Sequence, residues 1–457
     1  MKKFLTLLLL LPVCLQAGIV QIPYIERQPE ADDFSDRCNY MYPTGQPEKV
    51  YAPDELDVRS CDISSWNLTN YSAQELADVL TFDTQTTFPS RDNLPVGFMP
   101  YRLMRINKNP GLRVDRIHAK GIKGKGVSVA IIDQNILTSH REYERNLKWY
   151  EEDYYWRDKP ASVHGTAAAS LLAGSNIGIA PQARLFYFAA AIKYKDGFLD
   201  AMPIADNLQK IIELNTKLPP SIKIRVVAVL RGFSPQDNGY EAFSAAKAKL
   251  EKDGVAVFTT DDVYTLSRIH GADNPNMEHF YCRPAYWLEP KEYQKIYDLS
   301  AGNHDLLIPT DYQTAAAPTD VSDYAFYATG GLTWGVTYVA GLYALGVQID
   351  SSLTKEKFLQ AWDESATDMS CYYSDTQFTA RNFVRPVSLT QKLAEESPKR
   401  EEYANREKTW KRERRQFMPR STQRSYSGLM GSDSSYHRPP QTPSQAQKMM
   451  PPESIQR

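Results

Sequence analysis

Short runs of apolar residues without alternation recur through the middle of the chain. Gly126–Ile132 (GVSVAII), Ala183–Ala191 (ARLFYFAAA), Ile224–Leu230 (IRVVAVL) and Val255–Thr259 (VAVFT) are of this kind. Such runs predict strands buried on both faces, as in a parallel sheet. Between them lie segments with helical spacing: the small-residue stretch Gly165–Ala173, then Ala201–Leu214, then Tyr240–Lys252 closed by Asp253-Gly254. Strands alternating with helices predict βαβ units. The expected architecture is therefore α/β, a doubly wound, mostly parallel sheet over about 113–390. In such sheets function gathers at the carboxyl ends of the strands.

The flanks read differently. Residues 18 to about 53 are rich in Pro, acidic residues and turn formers and show no sustained period. A short repeat follows, with Asp/Asn and an aliphatic residue recurring every five positions at 57/58, 62/63 and 67/68. It resembles a fragment of a pentapeptide-repeat coil, and three turns are few for a free-standing solenoid, which predicts a small cap on another domain. Residues 18–112 are thus expected to be an irregular accessory region, 113–394 the α/β domain, and 395–457 a tail. The tail opens with a charged stretch suited to a short helix and continues rich in Ser, Gln and Pro. That composition cannot bury a core and predicts disorder.

Residues 1–17 change the setting. Lys2 and Lys3 precede an apolar run, Phe4–Val13, which ends near Ala17. This is the layout of a cleaved export signal and too short to span a bilayer, so an exported protein, periplasmic or extracellular, is expected. No later stretch of 18 uninterrupted apolar residues predicts a transmembrane segment. Export makes Cys38, Cys61, Cys282 and Cys371 candidates for disulfides, with three possible pairings. The 457 residues are 42% apolar and 24% charged with a net charge of −2. This excludes a wholly disordered chain and gives no bulk argument for nucleic acid. The tail carries about five more basic than acidic residues and could serve a partner of its own.

Three segments carry the chemistry. The first ends the strand Gly124-Lys125-Gly126-Val127-Ser128-Val129-Ala130-Ile131-Ile132 at Asp133. The second is His164-Gly165-Thr166-Ala167-Ala168-Ala169-Ser170, continuing to Gly178-Ile179-Ala180-Pro181-Gln182-Ala183. The third is Gly331-Leu332-Thr333-Trp334-Gly335-Val336-Thr337-Tyr338-Val339-Ala340-Gly341. In order and spacing they resemble the three catalytic blocks of the subtilisin-like serine peptidases, the subtilases, over roughly residues 113–350. The resemblance implies a subtilisin-like fold and a peptidase in which Asp133 orients His164 and His164 takes the proton of an attacking hydroxyl. The segment Leu230-Arg231-Gly232 would pair with the substrate backbone as an added strand. The substrate would be a peptide or protein. No cofactor and no metal cage is implied.

The pattern departs from the family where the nucleophile should be. Thr333 stands in the slot for serine, and its β-methyl restricts the rotamer that carries the hydroxyl. Thr337 stands in the slot for proline. Near the expected oxyanion asparagine the chain reads Thr260-Asp261-Asp262, and Gln134-Asn135 follow Asp133. Two readings remain open at this stage: a weak or specialised endopeptidase using Asp133, His164 and Thr333, and an inactive subtilase-fold protein that holds a peptide in the same cleft. A third makes the repeat and the tail the working parts of an interaction scaffold.

Overall fold

The computed structural model of the chain describes residues 20–417, apart from 35, 52–53, 196, 267–305 and 374–375. The expected signal, Cys282 and the Ser/Gln/Pro-rich end of the tail lie outside the described residues, as does the side chain of Cys371.

Among the described residues the largest sheet has six strands in the order β1-β5-β6-β4-β9-β10. They are β1 (Tyr24–Ile25), β4 (Ser128–Asp133), β5 (Leu147–Glu152), β6 (Arg184–Ala189), β9 (Ile224–Val229) and β10 (Ala256–Phe258). Every pairing is parallel. The continuous apolar runs have the expected physical cause. Val129, Ile131, Leu185, Tyr187, Val226 and Ala228 face one core, and Ala130, Ile132, Phe186, Phe188, Val227 and Val229 face the other. The helices Val163–Ala173 and Leu332–Ile349 belong to the first face, and Met202–Lys217 and Tyr240–Lys252 to the second. The fold is α/β and doubly wound. Strand β4 sits between β6 and β9, so the winding proceeds to both sides of it, and the switch point, where such sheets form their crevice, lies at its carboxyl end beside Asp133.

The flanks are more tightly joined to this body than their texture predicts. Strands β2 (Leu56–Asp57) and β3 (Leu80–Asp83) form one sheet with β13 (Gln313–Ala316) and β14 (Tyr324–Tyr327), in the order β13-β14-β3-β2. Phe82 is registered opposite Phe326. The repeat forms three stacked turns. Val58, Ile63 and Leu68 point inward with almost no exposure, and Cys61, Trp66 and Tyr71 are buried beside them. In each turn the Asp57, Asp62 or Asn67 carboxyl or amide oxygen accepts the N–H two residues on, from Arg59, Ser64 or Thr69. The same turns close with Cys61 N to Val58 O, Trp66 N to Ile63 O and Tyr71 N to Leu68 O. Asp/Asn recurs because its side chain replaces a turn's own hydrogen bond. Cys38 and Cys61 are free thiols, and burial with the neighbouring Cys38 pushes the Cys61 thiol upward.

At the other end the expected boundary at 394/395 falls inside the helix Pro386–Glu396. A second helix covers Arg400–Phe417. Its first turn packs on the body: Tyr403 is buried and its hydroxyl donates to Gln348 O at 3.0 Å. One compact unit runs to Ala404 and a second begins at Asn405. The charged start of the tail therefore forms helix. Its first turn is fixed to the body by Tyr403, an aromatic residue that composition averages conceal.

Leu332–Ile349 is long and apolar enough to cross a membrane by length and composition, yet it is the buried core helix that carries Thr333.

Candidate functional site

Asp133 is the last residue of β4 and is buried. His164 is the second residue of the helix Val163–Ala173. Thr333 is the second residue of Leu332–Ile349, whose amino end is led in by Gly331 in extended conformation. Three segments far apart in sequence thus deliver one residue each to the crevice.

The two residues after Asp133 hold the His164 helix in place. Asn135 is fully buried; its amide donates to Pro160 O at 2.8 Å and its oxygen accepts Ser162 N at 2.9 Å. The Ser162 hydroxyl bonds Gln134 Oε1 and accepts His164 N at 3.1 Å, capping the helix. Gly165 is obligatory: a Cβ there would lie 2.3 Å from Asn135 O and 2.4 Å from Gln134 O. Thr166 Oγ1 accepts Leu137 N at 3.1 Å, and Ser170 Oγ accepts Ala316 N at 2.9 Å. The Gln134-Asn135 pair that departs from the family pattern is the clamp for the helix that bears the imidazole.

His164 stands between the other two. Its Nδ1 donates to Asp133 Oδ2 at 2.6 Å, and its Nε2 is 3.0 Å from Thr333 Oγ1. The first bond fixes the tautomer, so Nε2 is placed to accept a hydrogen bond from the Thr333 hydroxyl. Burial pushes the imidazole towards neutrality. The charge of Asp133 and its hydrogen bond outweigh this and raise the pKa above its ordinary 6.5, while Arg231 lowers it a little. Thr333 therefore keeps its hydroxyl towards the imidazole despite the β-methyl.

The Leu230-Arg231-Gly232 segment lies just past β9. Leu230 N donates to Ile132 O at 3.2 Å, which carries the strand pairing up to the neighbour of Asp133. The Leu230 side chain is buried in the core, leaving Arg231 and Gly232 partly exposed at the crevice. Gly232 is packed against Asp261: a Cβ would lie 2.0 Å from its Oδ1, and Asp261 Oδ2 accepts Phe233 N at 3.2 Å. Burial raises the Asp261 carboxyl, the bond from Phe233 opposes this, and the charge of Asp262 adds to it. Thr259 is spent internally, accepting Asp261 N and bonding Asp262 Oδ2, so its hydroxyl is no oxyanion donor.

One residue at the site escaped sequence reasoning. Trp334 follows Thr333 and stacks on His164, with ring centroids 5.4 Å apart and planes 15° apart. The only signal was a bulky aromatic in a segment otherwise read as small-residue packing.

Residues 124–260, from the approach to β4 through the turn after β10, match the model of the subtilase family. Two curated relatives, both described as subtilisin-like protease 6, from Trichophyton soudanense and Trichophyton rubrum, are 27% identical over 140 residues. That stretch is 30% of this chain and spans about a third, 32%, of each relative's length. Among solved structures, the prenylagaramide maturation protease PagA is similar at 14% identity and a TM-score of 0.42, over 62% of this chain and 98% of that one. A cold-adapted subtilisin-like serine proteinase is similar at 16% identity and a TM-score of 0.38, over 57% and 89%. Residues 124–260, which carry Asp133 and His164, are thus a segment of subtilase-family sequence.

Proposed function

We propose that the protein is an exported endopeptidase of weak or specialised activity, in which Asp133, His164 and Thr333 act as one catalytic group. The observation that carries this reading is the placement of His164, bonded to Asp133 on one nitrogen and to the Thr333 hydroxyl on the other. His164 would accept the Thr333 proton as the oxygen attacks the peptide carbonyl, then return it to the leaving amine, and water would hydrolyse the ester. Thr333 lies in the first turn of its helix, where unpaired backbone N–H groups favour the developing negative charge. The substrate backbone would lie along Arg231 and Gly232. Residues 1–17 would direct export.

A second reading, a peptide-binding protein without turnover, is favoured by Asp261. It lies against Gly232 where the family pattern leads to an asparagine, and an ionised carboxylate there opposes an oxyanion. Loss of one such donor costs about 10²–10³ in rate.

The test measures cleavage of a general peptide substrate by the parent, Thr333→Ser, Thr333→Ala and the double variant Thr333→Ser/Asp261→Asn. The expected order is double variant fastest, Thr333→Ser above the parent, and Thr333→Ala at background. Equal background rates for all four and for His164→Ala would favour the binding-protein reading.

A further inference from the structure

The face of the His164 imidazole is covered by a residue to which the proton relay gives no role. Trp334 is 8% exposed. Its indole is held from both sides. The Tyr327 ring meets it edge-on, with centroids 5.5 Å apart and an interplanar angle of 67°. Gly330 leaves the space it needs, since a Cβ there would lie 2.6 Å from Trp334 Cδ1. Tyr327 is itself buried beneath the Arg59 guanidinium, which lies 5.2 Å from the ring centroid and donates to the phenol oxygen at 3.3 Å. Arg59 is fixed by a two-pronged bond to Asp57, at 2.9 and 2.6 Å. A column therefore runs from the accessory region to the imidazole: Asp57, Arg59, Tyr327, Trp334, His164.

We propose that Trp334 is a positioning residue, whose indole face holds the imidazole in line between Asp133 and Thr333 and stabilises the imidazolium formed when the hydroxyl proton is taken. The proposal rests on the reading of Asp133, His164 and Thr333 as one catalytic group, but its physical content concerns His164 alone. A histidine on a helix has several staggered rotamers, and only one directs Nδ1 at Asp133 and Nε2 at Thr333 together. A parallel indole at this distance blocks the swing away from that rotamer. The electron-rich face of an indole also favours a cation within about 6 Å. The charged groups acting on the imidazole are Asp133, which favours the cation, and Arg231, which opposes it. Trp334 adds to the side of Asp133 without competing for either ring nitrogen.

The experiment uses the full chain and no substrate, so failure of peptide cleavage leaves it intact. Protonated imidazole quenches a stacked indole. Tryptophan emission of the parent should rise between about pH 5 and 8 as His164 loses its proton, and this step should vanish in His164→Gln and in Trp334→Phe. The His164 ring resonance, assigned by its loss in His164→Gln, gives the midpoint directly. In Trp334→Leu that midpoint should fall by about half a pH unit, the worth of one cation–π contact, and Trp334→Phe should recover most of the shift. Parent emission identical to that of His164→Gln at every pH would overturn the proposal, and needs no substitution at Trp334 to observe. A midpoint unchanged in folded Trp334→Leu would overturn it as well.

Discussion

Under the proposed function the β-methyl of Thr333 could cost activity through its rotamer, and the oxyanion side could cost more. The hydroxyl meets the imidazole at 3.0 Å, the arrangement the proposed relay needs. In that reading the remaining cost would lie on the oxyanion side, at Asp261. The raised pKa of His164 has two consequences of opposite sign. Only the neutral imidazole accepts the Thr333 proton, so cleavage should rise with pH through a midpoint above 6.5, read from kcat/KM against pH. The Asp133–His164 pair contributes stability in the other direction. The folded pKa lies above the unfolded one, so the contribution is fully present below the unfolded value and is lost as pH rises through the folded value. The Tm difference between parent and His164→Gln should therefore shrink from mildly acidic to alkaline pH, checked by calorimetry across that range. Asp133, His164 and Thr333 were legible in the sequence because each sits in a local motif of small residues. Trp334 and Arg59 were not, because Trp334 meets His164, and Arg59 meets Tyr327 across 268 positions, and such distant contacts leave no local pattern.

The elements around the site are held by tight contacts rather than by length. The His164 helix crosses the end of β4 with no room for a single added carbon at Gly165. Gly165→Ala should destabilise the fold by about 1–3 kcal/mol through overpacking, measured by denaturant unfolding. Asn135→Ala removes the bonds to Pro160 O and from Ser162 N that hold the segment leading into the Ser162 cap. It should cost a similar amount, and should lower activity further than its stability loss explains, since the cap sets the position of His164. The buried strands of the main sheet were readable because both faces are apolar. Strands β2, β3, β13 and β14 were not: each is two to four residues long, and the pairing of β3 with β14 that joins the two halves spans more than 200 positions. The five-residue repeat was legible as a pattern, and its cause is the Asx turn made three times over.

For the whole molecule, the interleaving of residues 18–112 with 306–328 bears on whether the accessory region is a removable pro-segment. We propose that it is integral. Removing it would strip two of four strands from a sheet and uncover Tyr312 and Phe326, both fully buried. A chain beginning at residue 113 should fail to give soluble folded protein, whereas nicking the intact protein near 112 should leave the fragments associated on gel filtration. A soluble 113–417 chain with a normal His164 titration would contradict this. Limited proteolysis should spare the body to beyond Ala404 and cut after it, since Ser397 and Tyr403 are buried. The pairing of β3 with β14 also has a consequence in time. Phe82 meets Phe326 only after the intervening chain has been made, so the ring column behind His164 is among the last parts to assemble. During synthesis Asp133 and His164 would exist without Thr333 and without the rings behind them. The order of the chain thus withholds the arrangement until synthesis has passed Trp334, well after both residues have been made.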